Sequence, residues 1–574
     1  MPVHNSDIKK TLKDMADLLD IKGANEFRVR AYRNAARTLG QLSKNVDEMV
    51  REGEDLTRLE GIGEDLAGKI EEIVNTGTLE QLEELKRELN PEMVRMLEVA
   101  SLGPRRVKKL YDALGINNLK DLKEAAQKKK IREIEGFGKK TEEKILTELQ
   151  EMGEEKRTLL KEAEEVAEAF YSYLQKSEGI GQIEVAGSYR RRKETVGDLD
   201  ILVSLAGKDN NRVMEHFVGY EDITEIISKG ETKSSVRLKS GIQVDLRAVE
   251  KESFGAALLY FTGSKAHNIE VRKLALERGY KISEYGVFEG ETQVAGETEE
   301  GVYQKLDMPW IPPQLRENQG EIKAARENSL PSLITWKDIQ GDLHTHSTRT
   351  DGRNTIKEMV EAARKQGYSY MAVTEHSKRV RMVNGLDEKG LLEQIEEIKE
   401  LNSTLEGFRV LAGIEVDILY DGSLDLEGEV LEKCDLVVAS VHYNRNMSRE
   451  AMTNRILKAV ENPHVNIIAH PTGREINKRR GYPVDLEKVM TEAKGAGVFM
   501  ELNGYPSRLD LKDTHCRMAK DLGVKISLGS DAHSTGGLTN MKYGIDQARR
   551  GWLEREDVLN TLSWKELKKI LKKK

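Results

Sequence analysis

Three aspartates set in apolar, strand-like sequence form the first candidate site in the chain. Asp198 and Asp200 are one residue apart at the start of an apolar run, and the side-chain period of two in a strand places both on one face. At about 4 Å two carboxylates repel by roughly 1–4 kcal/mol, so a fold keeps such a pair easily only with a cation between them. Asp245 stands between Val244 and Leu246, where an unpaired charge is unfavourable. Because Mg²⁺ takes oxygen ligands and binds substrate phosphates, these residues predict magnesium-dependent phosphoryl transfer.

A Gly-Ser pair just before these aspartates offers a place for phosphate. Strands are predicted at Ile183 to Ala186 and at Ile201 to Val203, so Gly187 and Ser188 fall in the turn that follows the first strand. Backbone N–H groups in such a turn can approach a phosphate closely. Arg190 to Arg192 follow immediately, and we expect them to add positive charge there.

The third aspartate is predicted to lie on a hairpin. Residues 236–246 indicate two strands with a turn at Ser240 and Gly241, and the second strand carries Asp245. By itself, the Asp198-Leu199-Asp200 motif would also fit a surface pair at a strand end or a sugar-nucleotide enzyme. Together with the Gly-Ser turn and the third aspartate, the motif favours nucleotidyl transfer.

This region resembles the palm of family X DNA polymerases, the DNA polymerase beta class. The resemblance continues through Tyr260-Phe-Thr-Gly263-Ser-Lys-Ala-His-Asn268 and on to Gly279-Tyr-Lys-Ile-Ser-Glu-Tyr. It implies that Asp198, Asp200 and Asp245 are the catalytic carboxylates and hold two Mg²⁺ ions. In-line phosphoryl transfer depends mainly on positioning and charge neutralisation, which such a site provides.

The resemblance also assigns the phosphate end of a nucleotide pocket. Gly187, Ser188 and Arg191 are implied to bind the nucleotide phosphates, and Arg157 stands at the matching distance upstream. A guanidinium can hold phosphate oxygens bidentately, so the arginines suit that task chemically.

The other end of the pocket is assigned in the same way. Tyr260, Phe261 and Gly263 are implied to line the sugar pocket, where a bulky wall rejects a 2′-hydroxyl group. Asn268 is implied to meet the incoming base in the minor groove, and Arg272 to lie on the template side. The implied substrates are deoxynucleoside triphosphates and gapped or primer-template DNA.

A second set of chemically capable residues lies beyond about residue 330, where short apolar strands alternate with helical segments. This alternation predicts a βα barrel. In such barrels chemistry collects at the C-terminal ends of the strands, and nearly every predicted strand here ends in a metal-type ligand. The nine candidates are His344, His346, Asp351, His376, Glu415, His442, His470, Asp531 and His533. Imidazoles mixed with carboxylates suit Mn, Zn or Fe better than an oxygen-lined Mg²⁺ site.

This constellation resembles the polymerase-and-histidinol-phosphatase (PHP) domain, with all nine expected ligands present. The resemblance implies a distorted (βα)7 barrel that holds up to three Mn²⁺ or Zn²⁺ ions and hydrolyses phosphoesters. A bound metal can lower the pKa of its water from about 15.7 to about 7 and so supply hydroxide at neutral pH. Arg474, four residues after His470, is a candidate to hold the scissile phosphate.

Three segments in the N-terminal part of the chain repeat one pattern: a small residue, an apolar residue, glycine, and then an amphipathic helix. The pattern resembles the helix-hairpin-helix, whose tight turn points N–H groups at an anion from the start of a helix. Such a turn grips backbone phosphate whatever the base, so three copies predict DNA binding. The candidate residues are Gly61, Gly63, Ser101, Gly103, Arg105, Arg106, Gly136, Gly138 and Lys139.

The first repeat belongs, by resemblance, to a small helical domain that binds a 5′-phosphate and can excise abasic sugar through a lysine Schiff base. Lys69 occupies the nucleophile position, and Tyr32 and Arg28 match two positions of the phosphate pocket. Phe27, Asp65 and Gln81 stand where cations are expected. Since a lysine becomes nucleophilic only when burial or nearby cations depress its pKa, these neighbours argue against lyase activity.

The length and composition of the chain predict several domains, each large enough to bury an apolar core. The chain has 574 residues, a net charge of −8 and 33% charged residues. A negative net charge means that DNA contacts must come from local basic patches or backbone amides. The two cysteines, Cys434 and Cys516, match no zinc-finger spacing and indicate a reducing compartment. No apolar run approaches the length of a membrane span, so we expect a cytoplasmic protein.

The expected architecture is multidomain, α and α/β: helical N-terminal and fingers domains, a nucleotidyltransferase palm, a thumb and the barrel. The predicted divisions are 1–90 for the small helical DNA-binding domain, 91–155 for the fingers, 156–250 for the palm, 251–317 for the thumb, 318–335 for a linker and 336–574 for the PHP domain.

The predicted function is template-directed synthesis that fills gaps in DNA repair, joined to a Mn-dependent 3′–5′ exonuclease. The barrel's hydrolysis could instead remove 3′-phosphates or incise abasic sites. Three alternatives remain: a non-templated nucleotidyltransferase, a DNA-end-binding scaffold with vestigial metal sites, and a barrel that acts as a small-molecule phosphatase. Intact ligand sets argue against the scaffold, and fusion to DNA-gripping segments argues against the small-molecule phosphatase. We expect a monomer.

Overall fold

The computed structural model describes residues 5–39, 46–51, 53–59, 61–76, 78–88, 93–94, 96–99, 101–152, 157–205 and 210–571. The chain divides into two compact units, residues 1–156 and 157–574. The predicted domain boundaries near residues 90 and 155 lie outside the described residues. Across the described helices, none combines the length and the apolar character needed to cross a membrane.

The first unit packs helices around one apolar core. The helices are Asn5–Lys22, Glu26–Leu39, Val46–Arg51, Glu64–Thr76, Glu80–Glu88, Pro104–Leu114, Leu119–Gln127 and Lys139–Met152. Their amphipathic spacing turns residues such as Leu12, Ile70 and Leu110 inward, where they are buried. In each of the three predicted repeats a glycine-containing turn comes directly before a helix, at Glu64, Pro104 and Lys139.

A mixed five-stranded sheet forms the palm, which opens the second unit. The strands of this region are β1 Thr158–Leu159, β2 Ile180–Val185, β3 Thr195–Val196, β4 Asp198–Leu205, β5 Ile223–Lys229, β6 Lys233–Leu238 and β7 Gln243–Val249. The sheet order is β2-β4-β7-β6-β5, with β4 and β7 parallel and the other neighbours antiparallel. β6 and β7 form the predicted hairpin, and Gly241 takes the left-handed conformation that its turn requires, with φ at +86°. The helices Leu160–Leu174 and Asn210–Val218 bury Phe170 and Phe217 in the same core as the strands.

The thumb follows the palm along the chain. Its helices are Phe254–Thr262, Lys265–Glu277 and Glu299–Gln304, and its antiparallel sheet consists of β8 Tyr280–Ser283, β9 Gly286–Glu289 and β10 Thr292–Ala295. The segment predicted as a linker contains the helix Glu321–Arg326, and Ala324 and Ala325 join the apolar core of the thumb. Glu321 Oε1 lies 2.7 Å from His267 Nδ1. This segment therefore packs on the thumb.

Seven parallel strands in chain order form the predicted barrel. They are β11 Gly341–Asp342, β12 Tyr370–His376, β13 Arg409–Asp417, β14 Leu436–Ser440, β15 Ile467–Ile468, β16 Phe499–Asn503 and β17 Ile526–Gly529. The Asp531 N–H donates to the His344 carbonyl at 3.0 Å and the His346 N–H to the Ala532 carbonyl at 2.9 Å, so the first and last strand ends meet and the barrel nearly closes. The helices around it are Ile356–Lys365, Glu388–Thr404, Gly428–Leu431, Arg449–Val460, Leu486–Ala496, Asp513–Leu522, Met541–Arg550 and Trp564–Leu571.

The (βα)7 prediction is confirmed. Two of the strands are short, Gly341–Asp342 and Ile467–Ile468. The fifth strand begins late because the Asn466 side chain, through Oδ1, accepts the Val437 N–H at 2.9 Å.

Candidate active sites

The three palm aspartates meet where β4 and β7 run side by side. In this parallel register Asp200 stands opposite Asp245, and Asp198 stands opposite Gln243. The Asp245 carboxylate accepts a hydrogen bond from Gln243 Nε2 at 2.9 Å and pairs with Lys233 Nζ at 3.1 Å. The structure thus brings the three predicted carboxylates onto neighbouring strand positions.

The charge state of these aspartates reflects their closeness. Burial raises the pKa of Asp200 to about 7, and the carboxylates of Asp198 and Asp245 add to the rise. Burial would also raise the pKa of Asp245, but hydrogen bonds from Gln243, Lys233 and Ser235 overcome it and lower that pKa. Buried oxygens that repel one another in this way fit a divalent cation such as Mg²⁺.

The turn at Gly187 and Ser188, which is predicted to bind phosphate and is called the phosphate turn below, lies directly against this cluster. The φ of Gly187, +65°, lies in the left-handed region, and a Cβ there would meet Asp200 Oδ2 at 2.7 Å. The turn is a short helix, Gly187–Arg190, and the Ala186 N–H before it donates to the Asp200 carbonyl at 2.7 Å. Only glycine satisfies both constraints at this position.

A cavity of about 770 Å³ opens beside the carboxylates, a volume typical of small-molecule sites. It is lined by Asp198 and Asp200 and by every residue predicted to bind nucleotide: Arg157, Gly187, Ser188, Arg191, Tyr260, Phe261, Gly263, Asn268 and Arg272. Asn268 Nδ2 donates to the Tyr260 carbonyl at 2.7 Å, and the Arg272 guanidinium lies 5.0 Å from the centre of the Tyr260 ring. These contacts fix the wall opposite the phosphate turn.

Two of the three arginines expected to add charge for phosphate are engaged elsewhere. Arg190 donates to both oxygens of Glu299 in the thumb, at 2.8 and 2.9 Å. Arg192 binds Asp546 of the barrel at 2.7 Å. Of the three, Arg191 lines the cleft, with its Nε 3.0 Å from Glu317. The prediction was therefore wrong for Arg190 and Arg192, because buried carboxylates of the thumb and barrel take up their charge.

The nine predicted barrel ligands converge at the C-terminal ends of the strands. Their ligand atoms form three groups in which all atoms lie within 4.8 Å of one another: His346, Asp351, His376 and His533; His344, His346 and Asp531; His376, Glu415 and His442. His470 Nε2 lies 2.9 Å from Glu415 Oε1 and so joins the third group. Strand-end geometry brings together residues that are far apart in sequence.

Several ring nitrogens in this cluster are buried without a hydrogen-bond partner. They are His344 Nε2, His346 Nδ1 and His470 Nδ1, whereas His376 Nδ1 lies 2.8 Å from Glu415 Oε2 and His346 Nε2 lies 3.3 Å from Asp531 Oδ1. Buried polar atoms nearly always have a partner, and neutral imidazole nitrogens are common ligands of transition metals. The residues present therefore fit a centre with more than one metal ion.

Opposing charges shape the protonation of the cluster. Burial lowers the pKa of His346 to about 3, and the His376 imidazole adds to the effect. Burial would also lower the pKa of His376, but Glu415 and Asp351 raise it to about 10. Burial would raise the pKa of Glu415, but the imidazoles of His442, His376 and His344 hold it well below its ordinary value. Metal ions compete with protons for these ligands, so acid weakens their binding.

Carboxylates that the sequence analysis missed hold the ligand rings. Glu501 Oε1 lies 2.5 Å from His344 Nδ1, and Glu501 Oε2 accepts the His470 N–H at 2.5 Å. Asp417 Oδ1 accepts the backbone N–H of His442 at 3.0 Å and lies 3.4 Å from its ring Nδ1. A carboxylate on the second ring nitrogen fixes the tautomer and orientation of a ligating histidine. The missed signal was a charged residue inside an apolar strand, as at Asp245.

Arg474 lies at the contact between barrel and palm. Its guanidinium binds Glu194 at 2.6 and 3.2 Å and also donates to the Leu509 carbonyl. The side chain is 14% exposed. Because the guanidinium of Arg474 donates to Glu194, its predicted role in binding phosphate stays a prediction.

The repeat turns of the first unit leave room for a backbone phosphate. A Cβ at Gly63, Gly103 or Gly138 would meet no atom within 4 Å. Gly61 and Gly136 take left-handed conformations, with φ at +76° and +87°. A groove of about 660 Å³ is lined by Ser101, Gly103, Pro104, Arg105, Arg106, Lys140, Thr141 and Lys144, with Asp20 and Arg33. Lys139, which precedes Lys140 in the chain, is exposed to solvent.

Some groups in this groove are partly engaged within the protein. The Ser101 hydroxyl donates to Glu148 at 2.6 Å, and Arg106 Nη1 donates to the Ser101 carbonyl at 2.7 Å. Arg105 Nη2 donates to Glu26 at 2.9 Å. DNA binding by these residues stays a prediction.

Lys69 has the acidic partner that the sequence indicated. Its Nζ lies 2.6 Å from Asp65 and 5.3 Å from the centre of the Tyr32 ring. Burial would lower the pKa of Lys69, but Asp65 and Tyr32 raise it. The Tyr32 hydroxyl donates to Gln81 at 3.2 Å, and Arg28 is exposed to solvent. A lysine held cationic in this way is a poor nucleophile.

Comparison with known proteins gives matches along most of the chain. Family models match for the DNA polymerase beta palm at 157–253, the DNA polymerase beta thumb at 257–317 and the PHP domain at 342–473. A helix-hairpin-helix domain matches at 3–79 and a SAM-like helix-hairpin-helix tandem at 93–151.

Among curated relatives, the DNA polymerase/3′-5′ exonuclease PolX of Bacillus subtilis (strain 168) is 40% identical over 579 residues, covering all of both chains. A probable phosphatase of Thermoanaerobacter sp. (strain X514) is 34% identical over 244 residues, 41% of this chain and 94% of the relative. A probable phosphatase of Acetivibrio thermocellus is 33% identical over 202 residues, 33% of this chain and 78% of the relative. Palm, thumb and barrel thus match in one chain, in the order of the full-length relative, and the protein belongs to the family X DNA polymerases that carry a C-terminal PHP domain.

Proposed function

We propose that this enzyme is a template-directed DNA polymerase that fills short gaps during repair and trims 3′ ends with its barrel. The full-length relative is named as a polymerase and 3′-5′ exonuclease. The observation that carries the proposal is the meeting of Asp198, Asp200 and Asp245 on adjacent strands. Asp198 and Asp200 also line the cavity that contains every residue predicted to bind nucleotide.

In synthesis, the palm would hold two substrates in line. A primer 3′-hydroxyl attacks the α-phosphorus of a nucleotide, and pyrophosphate leaves. Mg²⁺ bound by the three aspartates would neutralise the charge that develops on the phosphoryl oxygens. The chain itself orients the phosphates through the Gly187 turn and Arg191, and holds the sugar and base between Tyr260 and Asn268. Such positioning accounts for a large part of catalysis in reactions of this kind.

In hydrolysis, the barrel would cleave the terminal phosphodiester of a 3′ end. Mn²⁺ or Zn²⁺ held by the nine ligands would supply hydroxide near neutral pH. Glu501 and Asp417 contact the histidines and orient them as ligands. The mixture of imidazoles with carboxylates suits either of these ions.

A phosphomonoesterase activity of the barrel is the second candidate. Its support is the similarity of this region to relatives named as probable phosphatases. A 3′-phosphate on a DNA end would then be a substrate alongside the terminal nucleotide, and abasic-site incision would use the same ligands. Competition between DNA with a 3′-phosphate and a small phosphomonoester separates a DNA-end activity from a small-molecule one.

Two variants test the assignment of the two sites. Asp245→Asn is expected to abolish nucleotide incorporation on a one-nucleotide gap and to leave hydrolysis of 3′ ends unchanged. His344→Ala combined with His346→Ala is expected to do the reverse. Incorporation should follow the template base. Equal incorporation opposite a mismatched base would instead indicate a non-templated transferase, and indifference of either activity to its own variant would refute that site.

A further inference from the structure

The nucleotide cleft has a wall that comes from the barrel. Lys512, Asp513 and Arg550 line the same cavity as Ser188 and Arg191. Lys512 immediately precedes the helix Asp513–Leu522, and Arg550 ends the helix Met541–Arg550. All of these residues belong to the compact unit 157–574, so the barrel is a fixed part of the cleft.

A chain of ion pairs shows which end of the cleft this wall faces. Arg550 Nη1 donates to the Arg191 carbonyl at 2.8 Å and lies 3.1 Å from Glu317. Glu317 in turn holds Arg191 Nε at 3.0 Å. On its other side, Arg550 Nη2 donates to Asp513 at 2.6 Å. The barrel wall therefore adjoins Arg191, which is predicted to bind the nucleotide phosphates.

Charge at this wall favours an anion. The carboxylates of Asp513 and Glu317 are neutralised by Arg550 and Arg191. Lys512 is different: within the described part of the chain, no carboxylate lies within ion-pair distance of its ammonium group, although the residue is half-buried and lines the cavity. A half-buried ammonium beside a phosphate-sized space is well placed to pair with a phosphate.

We propose that Lys512 binds the distal phosphates of the incoming nucleoside triphosphate, so that the hydrolase barrel completes the nucleotide site of the polymerase. The proposal rests on the polymerase function proposed above. Ser188, Arg191 and Arg157 serve the part of the triphosphate nearest the carboxylates, and Lys512 extends the positive charge outward to the phosphates that leave as pyrophosphate. The nucleotide thus contacts palm and barrel together.

The test uses the full-length protein with Lys512→Ala and Lys512→Arg, and with Lys565→Ala as a control at an exposed lysine elsewhere on the barrel. Steady-state gap filling gives KM for the nucleotide and kcat. We expect Lys512→Ala to raise KM about tenfold, the lower range for a charge-assisted hydrogen bond, with kcat and exonuclease rate unchanged. Lys512→Arg should recover most of the loss, and Lys565→Ala should match wild type.

Binding without turnover locates the contact along the triphosphate. With Ca²⁺ in place of Mg²⁺, calorimetry with dATP, dADP and dAMP should show that Lys512→Ala weakens dATP most and leaves dAMP unchanged. Equal weakening of all three, or wild-type KM in Lys512→Ala, would overturn the proposal. Failure of the wild-type protein to incorporate any nucleotide would instead overturn the polymerase function itself, so the two failures are distinguishable.

Discussion

Replacing Asp200 by asparagine should stabilise the metal-free protein while abolishing synthesis. A pKa raised from 3.8 to about 7 corresponds to about 4 kcal/mol at roughly 1.4 kcal/mol per pH unit. Water and small movements in the cleft relieve part of this cost, so we expect about 2 kcal/mol. The destabilisation comes from burial of the Asp200 charge and from its repulsion by the neighbouring carboxylates. Asp200→Asn removes that charge and so removes the destabilisation.

The pH dependence has a definite sign. The folded pKa lies above the unfolded one, so the ionised form is the destabilised one. Wild-type protein in a chelator should therefore lose stability as pH rises from about 4 to about 7 relative to Asp200→Asn, and the full difference should persist above that range. At about pH 3.5, below the ordinary pKa of 3.8, the two proteins should be nearly equal, and at pH 8 the variant should be more stable.

Urea unfolding followed by tryptophan fluorescence measures this difference. All four tryptophans, at 310, 336, 552 and 564, lie in the second unit with Asp200. Asp222→Asn is the matched control, since Asp222 is an exposed palm aspartate paired with Lys239, and it should show no comparable rise at pH 8. Adding Mg²⁺ at pH 8 should stabilise wild type more than Asp200→Asn. A variant that is no more stable than wild type at pH 8, or equally more stable at both pH values, would refute the reasoning.

Four further substitutions test separate parts of the structure. Gly187→Ala, whose Cβ would meet Asp200 Oδ2 at 2.7 Å, should reduce incorporation about a hundredfold through misplacement of the phosphate turn, with hydrolysis unchanged in the same preparation. Arg192→Ala leaves the Asp546 carboxylate without its ion-pair partner and should lower the free energy of unfolding by about 3 kcal/mol, read by tryptophan fluorescence in urea. Glu501→Gln should weaken Mn²⁺ binding to the barrel by about 10–100-fold in calorimetry while gap filling continues. When protein is trapped with borohydride on DNA that carries a 5′-deoxyribose phosphate, wild type and Lys69→Ala should both give only background cross-linking, because Lys69 is paired with Asp65.

The palm carboxylates could be predicted from sequence because charge inside an apolar strand is anomalous. Asp200 and Asp245 each interrupt an apolar run, and the structure places them opposite each other in adjacent strands. The cluster of candidate metal ligands in the barrel was predictable for a related reason. Each candidate lies near or beyond the C-terminal end of a buried parallel strand, and such strands all point these ends to one rim. Glu501 is also a charged residue inside an apolar strand, β16. It was overlooked because it stands inside the strand and not at its end.

The partners of the arginine-rich segment could not be predicted. Arg190, Arg191 and Arg192 are alike in sequence, and an arginine has the same chemistry whether it faces a phosphate or a buried carboxylate. Their roles depend on Glu299, Glu317 and Asp546, which lie more than a hundred residues away in the chain. Arg474 shows the same limit, because its partner Glu194 belongs to the palm.

The same segment argues that the polymerase and the hydrolase form one structural body. Arg192 binds Asp546 and Glu194 binds Arg474, so both barrel contacts start within a few residues of the phosphate turn at Gly187. The apolar core of the palm also includes Leu509 and other barrel residues. Removing the barrel would expose that core and leave the charges of the turn unpaired, so a truncated polymerase would lose activity because its nucleotide turn is no longer held. We therefore expect substitution within each site to separate the two activities, and truncation of the barrel to disturb both.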